Sequence, residues 1–259
     1  RRRRRTLRRR PTTRSTRRPH SSSSNSSHSS SRRRSLSTST TSTFGDAMRP
    51  QLGEPAVWVT EELVPRPKNI YGVTKTAAED LCQLFYRNHG LPCLVLRTSR
   101  FFREVDDNPE LRDTYSDPNI KVNELLHRRV DIEDIVQAHL LALEKAGDIG
   151  YSKYIITASS PIQQKDLPLL NTDAPAVVAA YYPSFKAIYG QLNWRMFPAI
   201  GRVYRNDKAV RELDWKPKYD FGYALQQLAA GQEYRSPLTF QVAEKRYHKQ
   251  SFDDGPYPV

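Results

Sequence analysis

Hydrophobic positions in the middle of the chain alternate between the period of a helix and the continuous run of a buried strand. Residues 71–88 carry apolar side chains at three- and four-residue steps, which predicts an amphipathic helix that stops at Gly90. The run PCLVLRTS, 92–99, is apolar nearly throughout, as in a strand buried on both faces. Residues 131–147 repeat the helical period and end on a closing glycine, and YSKYIITAS, 151–159, is a second strand. This order predicts a parallel sheet with crossover helices.

The regions around this core are less regular. Residues 103–121 are rich in Asp, Asn and Pro and predict a loop. Beyond the second strand three short helices are predicted, around 175–190, 206–213 and 221–230. Asp220 is the expected N-cap of the last one. We therefore expect an α/β fold in which a parallel sheet is followed by a smaller C-terminal region.

The first 43 residues have almost no apolar side chains, with Leu7 and Leu36 as their only aliphatics. Such a segment cannot bury enough apolar surface to offset the entropy cost of ordering it, so residues 1–36 are expected to be a disordered Arg/Ser-rich tail. The tail region also accounts for the net charge of +13, because residues 1–45 contain 14 Arg and no acidic residue. Residues 46–259 hold 27 basic and 28 acidic residues, which argues against a basic nucleic-acid-binding face on the folded part.

Three interpretations of the tail are open. By charge alone it could contact RNA or phosphate groups. Its Arg- and Ser-rich, acid-free composition is compatible with an organelle transit peptide, although no amphipathic apolar stripe supports that interpretation. The third interpretation is that these residues do not belong to the original fold, because a gene boundary or a reading frame was misassigned. We favour the third and do not expect the tail to bind RNA.

The cysteines and the hydropathy bear on the compartment. Cys82 and Cys93 have neither metal-ligand nor redox spacing, so no metal site and no disulfide framework are expected, which suits a reducing compartment. No run approaches the ~18 apolar residues that are needed to span a bilayer, and no secretory signal is visible. We therefore predict a cytoplasmic protein without membrane contact.

The first predicted helix opens with NIYGVTKTAAEDLC, in which Tyr71 stands four residues before Lys75. Residues four apart lie on one face of a helix, about one turn from each other. A tyrosine phenol, with an ordinary pKa near ~10, is a poor acid–base catalyst at neutral pH, and a nearby ammonium group favours its phenolate form. The pair is thus suited to act as a general base. A surface tyrosine stacked on a lysine stem is the alternative for so short a pattern.

Four segments of the chain form an ordered set of motifs. They are PKNIYGVTKTAAEDLC, GLPCLVLRTSRFF, RRVDIEDIVQAHLLALEKA and VYRNDKAVRELDWKPKYDFGYALQQLA. The set resembles the extended short-chain dehydrogenase/reductase family, which contains nucleotide-sugar epimerases and dehydratases. In that family the corresponding motifs are a Pro-x-x-x-Tyr-x-x-x-Lys helix, a strand ending in Leu-Arg, a helix that opens with apolar-His/Asp-Val-x-Asp, and a Leu-Gly-Trp-x-Pro turn. Asp214 stands at the usual glycine of that turn, and the resemblance covers roughly residues 37–235.

The resemblance implies a Rossmann-like fold. Residues 37–160 would be the C-terminal half of a dinucleotide-binding domain, and residues 161–259 would be a smaller substrate-side region. NAD or NADP is the implied cofactor, and a small molecule is the implied substrate. Tyr71 would be the catalytic acid–base group beside the cofactor, while Lys75 would tune it and donate to the ribose hydroxyls. A homodimer that pairs the helices bearing these two residues is a further implication.

A Ser/Thr-rich stretch, STSTTSTFGDA at 37–47, is similar to the family segment whose hydroxyl polarises the substrate carbonyl. Aligning Phe44-Gly45 on the family's Tyr-Gly places Thr40 at the catalytic position. If this alignment is shifted by one residue, Ser39 or Thr41 takes that position instead. The alternative is that a Ser/Thr-rich tail supplies the match by accident. The family also has an apolar strand just before these hydroxyls, whereas this chain has RRRSLS.

The turn after the first predicted strand is implied to meet cofactor and substrate. Ser99 would contact the cofactor, and Arg100 stands where the family usually holds an Asn. An anionic group on the substrate would suit that guanidinium. Asn123 and Arg129, in KVNELLHRRV, fall near the implied substrate mouth and are candidate contacts. The alternative for both is solvated helix surface.

One family motif does not occur in the 259 residues. The family carries a Gly-x-x-Gly-x-x-Gly turn after its first strand, where glycines let the backbone approach the pyrophosphate at a helix N-terminus. Gly45 is the first glycine in this sequence, and no such turn is present. We therefore expect a fragment, or a translation with a wrong upstream exon or frame, that binds NAD(P) weakly or not at all and has poor stability.

Two functions follow from the sequence. The first is an NAD(P)-dependent epimerase, dehydratase or reductase that acts on a nucleotide-sugar-like or hydroxy/keto substrate through Tyr71 and Lys75. The alternative is a catalytically inactive Rossmann fragment whose Arg/Ser tail binds RNA or a protein partner, or a relic without function. The preference for NAD or NADP and the identity of the substrate are left open by the sequence.

Overall fold

A computed structural model of the chain describes residues 34–39, 44–51, 53–106 and 108–242, except for the side chain of Ser39. The predicted disorder of residues 1–33 and the predicted hydroxyls of Thr40 and Thr41 lie outside the described residues. The strands are β1 (Arg34–Ser39), β2 (Val57–Val59), β3 (Cys93–Thr98), β4 (Tyr151–Ile156) and β5 (Arg202–Tyr204). The helices are α1 (Ile70–His89), α2 (Pro109–Thr114), α3 (Asp117–Leu125), α4 (Ile132–Ile149), α5 (Leu167–Leu170), α6 (Ala174–Tyr181), α7 (Phe185–Gln191), α8 (Asp207–Leu213), α9 (Phe221–Ala229) and α10 (Leu238–Gln241). In the described part of the chain, none of these helices has the length and apolar content of a membrane span.

The main sheet is parallel and, within the described residues, has the strand order β1, β3, β4. Helix α1 lies in the connection from β1 to β3, and α4 lies in the connection from β3 to β4. A second, two-stranded parallel sheet pairs β2 with β5. The predicted α/β fold, a parallel sheet with crossover helices, is therefore confirmed.

Strand β3 is buried along its whole length, as its continuous apolar run predicts. Side chains alternate between the two faces of a sheet. Leu94 and Leu96 pack in a core with residues of α4, whereas Arg97 points to the opposite face and pairs with Glu79 of α1. The two crossover helices therefore cover opposite faces of the sheet and enclose β3.

Strand β1 begins at Arg34, inside the range 1–36 that composition predicts to be disordered. All six of its residues pair with β3. A polar strand can form here because the ladder satisfies its backbone groups and because the hydroxyl of Thr38 finds a buried partner on α1. The segment RSLSTS thus occupies the place where an apolar strand is expected from the family pattern.

The loop predicted over 103–121 contains the helix α2 and the first turns of α3. Each of these helices has a proline in its first turn, and Asn108 caps α2 by accepting a hydrogen bond of 2.9 Å from the N–H of Glu110. Asn, Asp, Ser and Pro are typical of turns as well as of helix starts. Composition alone therefore could not distinguish two short helices from a loop.

Helix α4 extends beyond the predicted end at Gly147, to Ile149. The chain turns at Gly150, whose φ of 79° lies in the left-handed region that favours glycine. The helix ends at the glycine that adopts these angles, because the earlier glycine can keep a helical conformation. The chain then enters β4 directly.

The C-terminal region consists of short helices around a core that also takes in side chains of α3. The helix predicted over 175–190 is divided into α6 and α7 at Pro183, which cannot continue a helix. The helices predicted at 206–213 and 221–230 form as α8 and α9, and Asp220 caps α9 as expected. The boundary between two domains stays a prediction.

The turn after α8 keeps the backbone conformation of a glycine. Asp214 has φ 53° and ψ 30°, in the left-handed region, where Asp is one of the few tolerated side chains. Its carboxylate pairs with the ammonium group of Lys145 on α4. The next residue, Trp215, is fully buried and its indole N–H donates a hydrogen bond of 3.0 Å to the carbonyl of Asp134. The turn is thus tied to α4 at two points.

Candidate active site

The first turns of α1 carry both residues of the predicted acid–base pair. Asn69 caps the helix by accepting a hydrogen bond of 2.9 Å from the N–H of Gly72. The ammonium nitrogen of Lys75 lies 5.2 Å from the centroid of the Tyr71 ring, and both side chains are half-buried. The helix therefore brings the two groups together on one face, in cation–π contact.

The next turn of α1 is fastened to the sheet by a buried ion pair. Glu79, which is fully buried, accepts hydrogen bonds from Arg97 Nη2 at 2.8 Å and Nε at 3.1 Å. Thr38 of β1 donates to the same carboxylate at 2.9 Å, and the ammonium group of Lys153 lies 3.2 Å away. Burial would raise the pKa of Glu79, but these partners outweigh it and lower the pKa. This contact fastens α1 to the sheet about two turns after Tyr71.

Ser99 lies at the carboxyl end of β3, and its N–H donates a hydrogen bond of 2.9 Å to the carbonyl of Ile156. The side chain is buried, and its hydroxyl has no hydrogen-bond partner among the residues that the structure describes. Strand β1 ends at Ser39, opposite Thr98, so the hydroxyl-rich stretch leaves β1 at the same edge of the sheet. A buried hydroxyl without a partner among the described residues thus lies at the carboxyl end of β3, where the turn was expected to meet the cofactor.

A fully buried carboxylate holds three guanidinium groups together next to this edge. Glu124 lies 2.7 Å from Arg128 Nη2, 2.8 Å from Arg129 Nε and 3.3 Å from Arg100 Nη1. Arg100 also pairs with the buried Asp106 at 2.6 Å. Burial acts to raise the pKa of Glu124, but the three guanidinium groups outweigh it and lower the pKa to about 2. Even so, the cluster carries more positive than negative charge.

Three nitrogen atoms near this cluster are buried and have no hydrogen-bond partner in the described part of the chain. They are Nε of Arg128, Nε of Arg202 and Nδ1 of His127. Burial, assisted by the charges of Arg128 and Arg202, holds the pKa of His127 well below its usual range, so its ring is neutral. Buried polar groups without partners are rare, and here two of them belong to guanidinium groups whose charges act on the third, His127. The arrangement can accept an anion.

Two predicted substrate contacts are buried. Asn123 is fully buried, donates to the carbonyl of Arg195 at 2.9 Å and accepts from the hydroxyl of Tyr189 at 2.7 Å. Arg129 is also buried, and its Nη1 donates to the carbonyl of Phe102 at 3.0 Å. The alternative interpretation of both as solvated helix surface is therefore wrong, because the C-terminal region covers α3.

Glu124, His127 and Arg202 were not identified from the sequence. The one local signal is the run HRR at 127–129, directly before the capped start of α4. Arg202 is distant along the chain, and β5 meets the cluster where the N–H of Tyr204 donates a hydrogen bond of 3.0 Å to the carbonyl of His127. Their association depends on tertiary structure and has no sequence spacing that would reveal it.

Comparison with protein-family models matches residues 25–156, just over half of the 259 residues, to the NAD dependent epimerase/dehydratase family. The chain belongs to this family. The matched range contains the main sheet, α1 with its Tyr–Lys pair, and α4. The family resemblance inferred from the four motifs is confirmed.

Several solved structures of epimerases and dehydrogenases are similar to this epimerase/dehydratase family member. A UDP-N-acetylglucosamine 4-epimerase from Bacillus cereus is 16% identical over 76% of this chain and 60% of its own, with a TM-score of 0.45. A UDP-glucose 4-epimerase from Thermotoga maritima is 21% identical over 75% and 61%, with a TM-score of 0.43. A glucuronic acid dehydrogenase from Chromohalobacter salexigens is 14% identical over 80% and 55%, with a TM-score of 0.43. The chain thus spans somewhat over half the length of these proteins.

A comparison with curated proteins gives no match.

The described residues fit one end of the family's dinucleotide better than the other. Lys75, Tyr71 and Ser99, which the family resemblance assigns to the nicotinamide and its ribose, are all among the described residues. No strand of the described residues is followed by a Gly-x-x-Gly-x-x-Gly turn that would let a pyrophosphate approach the backbone. Gly45 does not serve this purpose, because an added Cβ would lie 2.1 Å from the carbonyl oxygen of Arg66, where the chain itself fills the space.

Proposed function

We propose that the protein is an NAD(P)-dependent epimerase or dehydratase of nucleotide-sugar-like substrates, in which Tyr71 is the acid–base residue. The observation that carries the proposal is the contact between Lys75 and Tyr71 at the start of α1, in a chain of the NAD dependent epimerase/dehydratase family. Substrate, cofactor and activity are proposed for the whole protein, since the chain covers 60% of the first related structure.

The proposed chemistry is a proton transfer at Tyr71. Bound NAD or NADP would supply the acceptor and donor of hydride. The phenol oxygen of Tyr71 takes the proton of a substrate hydroxyl as the carbon that bears this hydroxyl is oxidised. It returns the proton when the resulting carbonyl is reduced. Lys75 is proposed to tune Tyr71 from the next turn of the helix and to donate to the ribose hydroxyls. Glu79 contributes by holding α1 at a fixed position on the sheet.

Hydroxyl groups at the carboxyl edge of the sheet complete the proposed site. Thr40 is the residue proposed to donate a hydrogen bond to the substrate carbonyl oxygen. Ser39 or Thr41 would take this role if the alignment is shifted by one residue. Ser99 is proposed to contact the cofactor through the hydroxyl that has no partner among the described residues.

An anionic part of the substrate is proposed to bind at His127, Arg128 and Arg202. The unpartnered Nε–H groups of Arg128 and Arg202 would donate charge-assisted hydrogen bonds to a phosphate group, and the excess positive charge would favour it. Arg100 and Arg129 are ion-paired with Glu124, so we propose that they shape this pocket through Glu124. Asn123 is proposed to position α3 rather than to bind substrate directly.

Replacement of Tyr71 by Phe tests the proposed acid–base role. In the protein expressed from its complete coding sequence, with UDP-glucose and NAD(P) supplied, turnover should fall by at least about 10²-fold because the proton acceptor is lost. Far-UV circular dichroism and thermal unfolding should be unchanged. The control variant Tyr86→Phe removes a hydroxyl from the same helix and should retain turnover. Normal turnover of Tyr71→Phe would exclude the mechanism.

Replacement of Arg202 by Gln tests the proposed anion contact. We expect KM for UDP-glucose to rise about 10-fold or more with little change in kcat, because a charged hydrogen bond to a non-reacting phosphate is lost. Arg49→Gln, at an arginine with a side chain that is 63% exposed and paired only weakly with Asp46, is the control and should leave KM unchanged. An unchanged KM in Arg202→Gln would show that the anion binds elsewhere. It would leave the proposed role of Tyr71 unaffected.

A further inference from the structure

The two cysteines of the chain lie next to each other in the fold, although they belong to different elements. Cys82 is in the second half of α1, and Cys93 is the first residue of β3. Both are free thiols. Their spacing in the sequence matches no redox motif, so only the tertiary structure brings them together.

Cys93 points to the face of the sheet that α1 covers. Side chains alternate along a strand, so Cys93 is on the same face as Arg97, which pairs with Glu79 of α1. In the neighbouring strand β4, Tyr151 stands opposite Cys93 in the register. The hydroxyl of Tyr151 donates a hydrogen bond of 3.2 Å to the carbonyl of Glu79. The neighbours of Cys93 on this face therefore contact α1.

Cys82 lies on the face of α1 that rests on the sheet. Residues three and four apart share a face of a helix, so Cys82 stands between Glu79 and Tyr86 on that face. The ring of Tyr86 is stacked on the ring of Tyr151, with 6.3 Å between the ring centroids. Cys82 is thus held above the starts of β3 and β4, where Cys93 lies.

The two thiols share a hydrogen bond. Cys93 is 5% exposed, and burial, assisted by this hydrogen bond, raises the pKa of its thiol to about 12. Cys93 therefore stays protonated and is the donor. Cys82 is half-buried, so it is the sulfur that solvent reaches. The pair consists of one accessible sulfur and one protected thiol in contact with it.

We propose that Cys82 and Cys93 form a reversible disulfide when the protein meets hydrogen peroxide, and that this modification fastens α1 to β3. In the first step the sulfur of Cys82 attacks a peroxide oxygen and the O–O bond breaks. The thiol proton leaves with the released hydroxide as water, and Cys82 becomes a sulfenic acid. In the second step the sulfur of Cys93 attacks the sulfur of Cys82. The S–S bond forms, the S–O bond breaks, and the proton of Cys93 leaves with the hydroxide as a second water.

Formation of this bond requires α1 to approach β3, because a disulfide is shorter than a hydrogen bond between two sulfur atoms. Few protein contacts oppose the approach, since most side chains of α1 after Glu79 are exposed. The high pKa of Cys93 leaves little thiolate for the second step, so we expect a reaction over hours rather than seconds. The proposal does not depend on the proposed epimerase function.

Peptide mapping of the full 259-residue chain tests the proposal. Trypsin cleaves after Lys and Arg, so the two cysteines fall in separate peptides, 76–87 and 88–97. After treatment with hydrogen peroxide, alkylation and digestion without reductant, we expect these peptides as one cross-linked species. Its mass should be about 2 Da below the sum of the two peptides, because two hydrogen atoms have been removed. Dithiothreitol should release both peptides.

Two serine variants separate the roles of the thiols, and neither should give the cross-linked species. In Cys93→Ser, peroxide should leave Cys82 as a sulfenic acid that dimedone labels, because the second thiol is missing. In Cys82→Ser, dimedone should label Cys93 at least about 10-fold less, because Cys93 is buried.

A displaced thiol is the matched control. Ala78 lies one helical turn before Cys82, is likewise half-buried and falls in the same tryptic peptide. In the double variant Ala78→Cys, Cys82→Ser the thiol is on the same face of α1 but one turn further from the start of β3. It should give at least about 10-fold less cross-linked species than the natural chain.

Four outcomes would overturn the proposal, in proteins whose circular dichroism matches that of the natural chain. Thiols that stay reduced would show that peroxide does not reach Cys82. Oxidised Cys82 beside an unlinked peptide 88–97 would show that Cys93 does not react with it. A covalent dimer on a non-reducing gel would make Cys82 an intermolecular site. Equal cross-linking of the displaced thiol would mean that random collisions, and not the native contact, join the sulfurs.

Discussion

Glu124 is buried among three guanidinium groups, and much of the local structure depends on its charge. The variant Glu124→Gln keeps the shape of the side chain and leaves Arg100, Arg128 and Arg129 without their shared counter-charge. We expect the free energy of unfolding at pH 7 to fall by about 3–5 kcal/mol, measured by urea denaturation. Asp207→Asn removes a largely exposed partner of Arg205 and should cost less than about 1 kcal/mol. Equal losses in the two variants would contradict the role of burial.

The same carboxylate predicts a pH dependence. The pKa of Glu124 is about 2 in the folded protein, below its ordinary value of 4.5, so the folded state binds its proton less tightly than the unfolded state does. The stabilisation is therefore fully present above pH 4.5 and is lost as the pH falls from 4.5 towards 2. The loss amounts to about 3 kcal/mol. In consequence the difference in unfolding free energy between the natural chain and Glu124→Gln should shrink across this window. A constant difference would contradict the assignment.

Sequence reasoning identifies site residues where the relevant spacing is local. Tyr71 and Lys75 are four residues apart on one helix, so helical geometry alone brings them together. The burial of Asn123 could not be predicted in this way, because its partners Tyr189 and Arg195 are distant along the chain. A polar residue in a polar segment is predicted to lie on the surface unless those contacts are known.

Among the secondary-structure elements, the junction between α4 and β4 is sensitive to substitution. Gly150 has φ 79°, and an added Cβ would lie 2.2 Å from the hydroxyl oxygen of Tyr86 on α1. Gly150→Ala should therefore combine backbone strain with overpacking and lower the free energy of unfolding by about 2–5 kcal/mol, measured by urea denaturation.

Gly90 provides the matched comparison for this substitution. It ends α1 with φ 63°, and an added Cβ would meet nothing within 4 Å. Gly90→Ala should therefore show the strain alone, about 1–2 kcal/mol. If both variants lose the same free energy of unfolding, then Tyr86 moves aside at no cost and the overpacking argument fails.

The elements that the sequence predicts well are those whose pattern and ends are both local. Helix α1 shows the helical period, an Asn cap and a terminal glycine, and β3 is apolar throughout. Helix α2 and the first turns of α3 were expected to be loop because their caps and prolines also suit turns. Strand β1 lies partly in the range expected to be disordered because its stability comes from β3 and Glu79, not from its own polar residues.

At the scale of the whole molecule, α1 exposes an apolar stripe to the surroundings. Val73, Leu81, Leu84 and Phe85 recur at helical steps and are 39–53% exposed. We propose that this stripe pairs with its copy in a second chain, as the family resemblance implies. The double variant Leu81→Glu, Phe85→Glu should sediment as a single chain where the natural protein sediments as two, because like charges and lost apolar area oppose pairing.

A stripe of similar character on the other side of the sheet serves as the control. Val136, Leu140 and Leu143 of α4 are 38–56% exposed. Leu140→Glu should leave the sedimentation coefficient as it is in the natural protein. Dissociation by that variant, or a natural protein that sediments as one chain, would contradict pairing through α1.

Net charge and composition describe the whole molecule only in part. The sequence predicts a near-neutral body, and the structure shows why this average is a poor guide to the site. Arginines 100, 128, 129 and 202 collect in one place because α3, β5 and the turn after β3 meet there. The net charge of the whole chain does not reveal such a local excess of positive charge.

The ion pair of Arg97 with Glu79 lies at the middle of α1. Tyr71 stands eight residues, or about 12 Å along the helix, from Glu79, and the intervening turns are more exposed. The fully buried pair is therefore the anchor of the helix, and the phenol of Tyr71 lies about two turns away from it. A small tilt of α1 about this anchor would move that phenol farther than it would move the side chains next to Glu79, while the sheet stays in place.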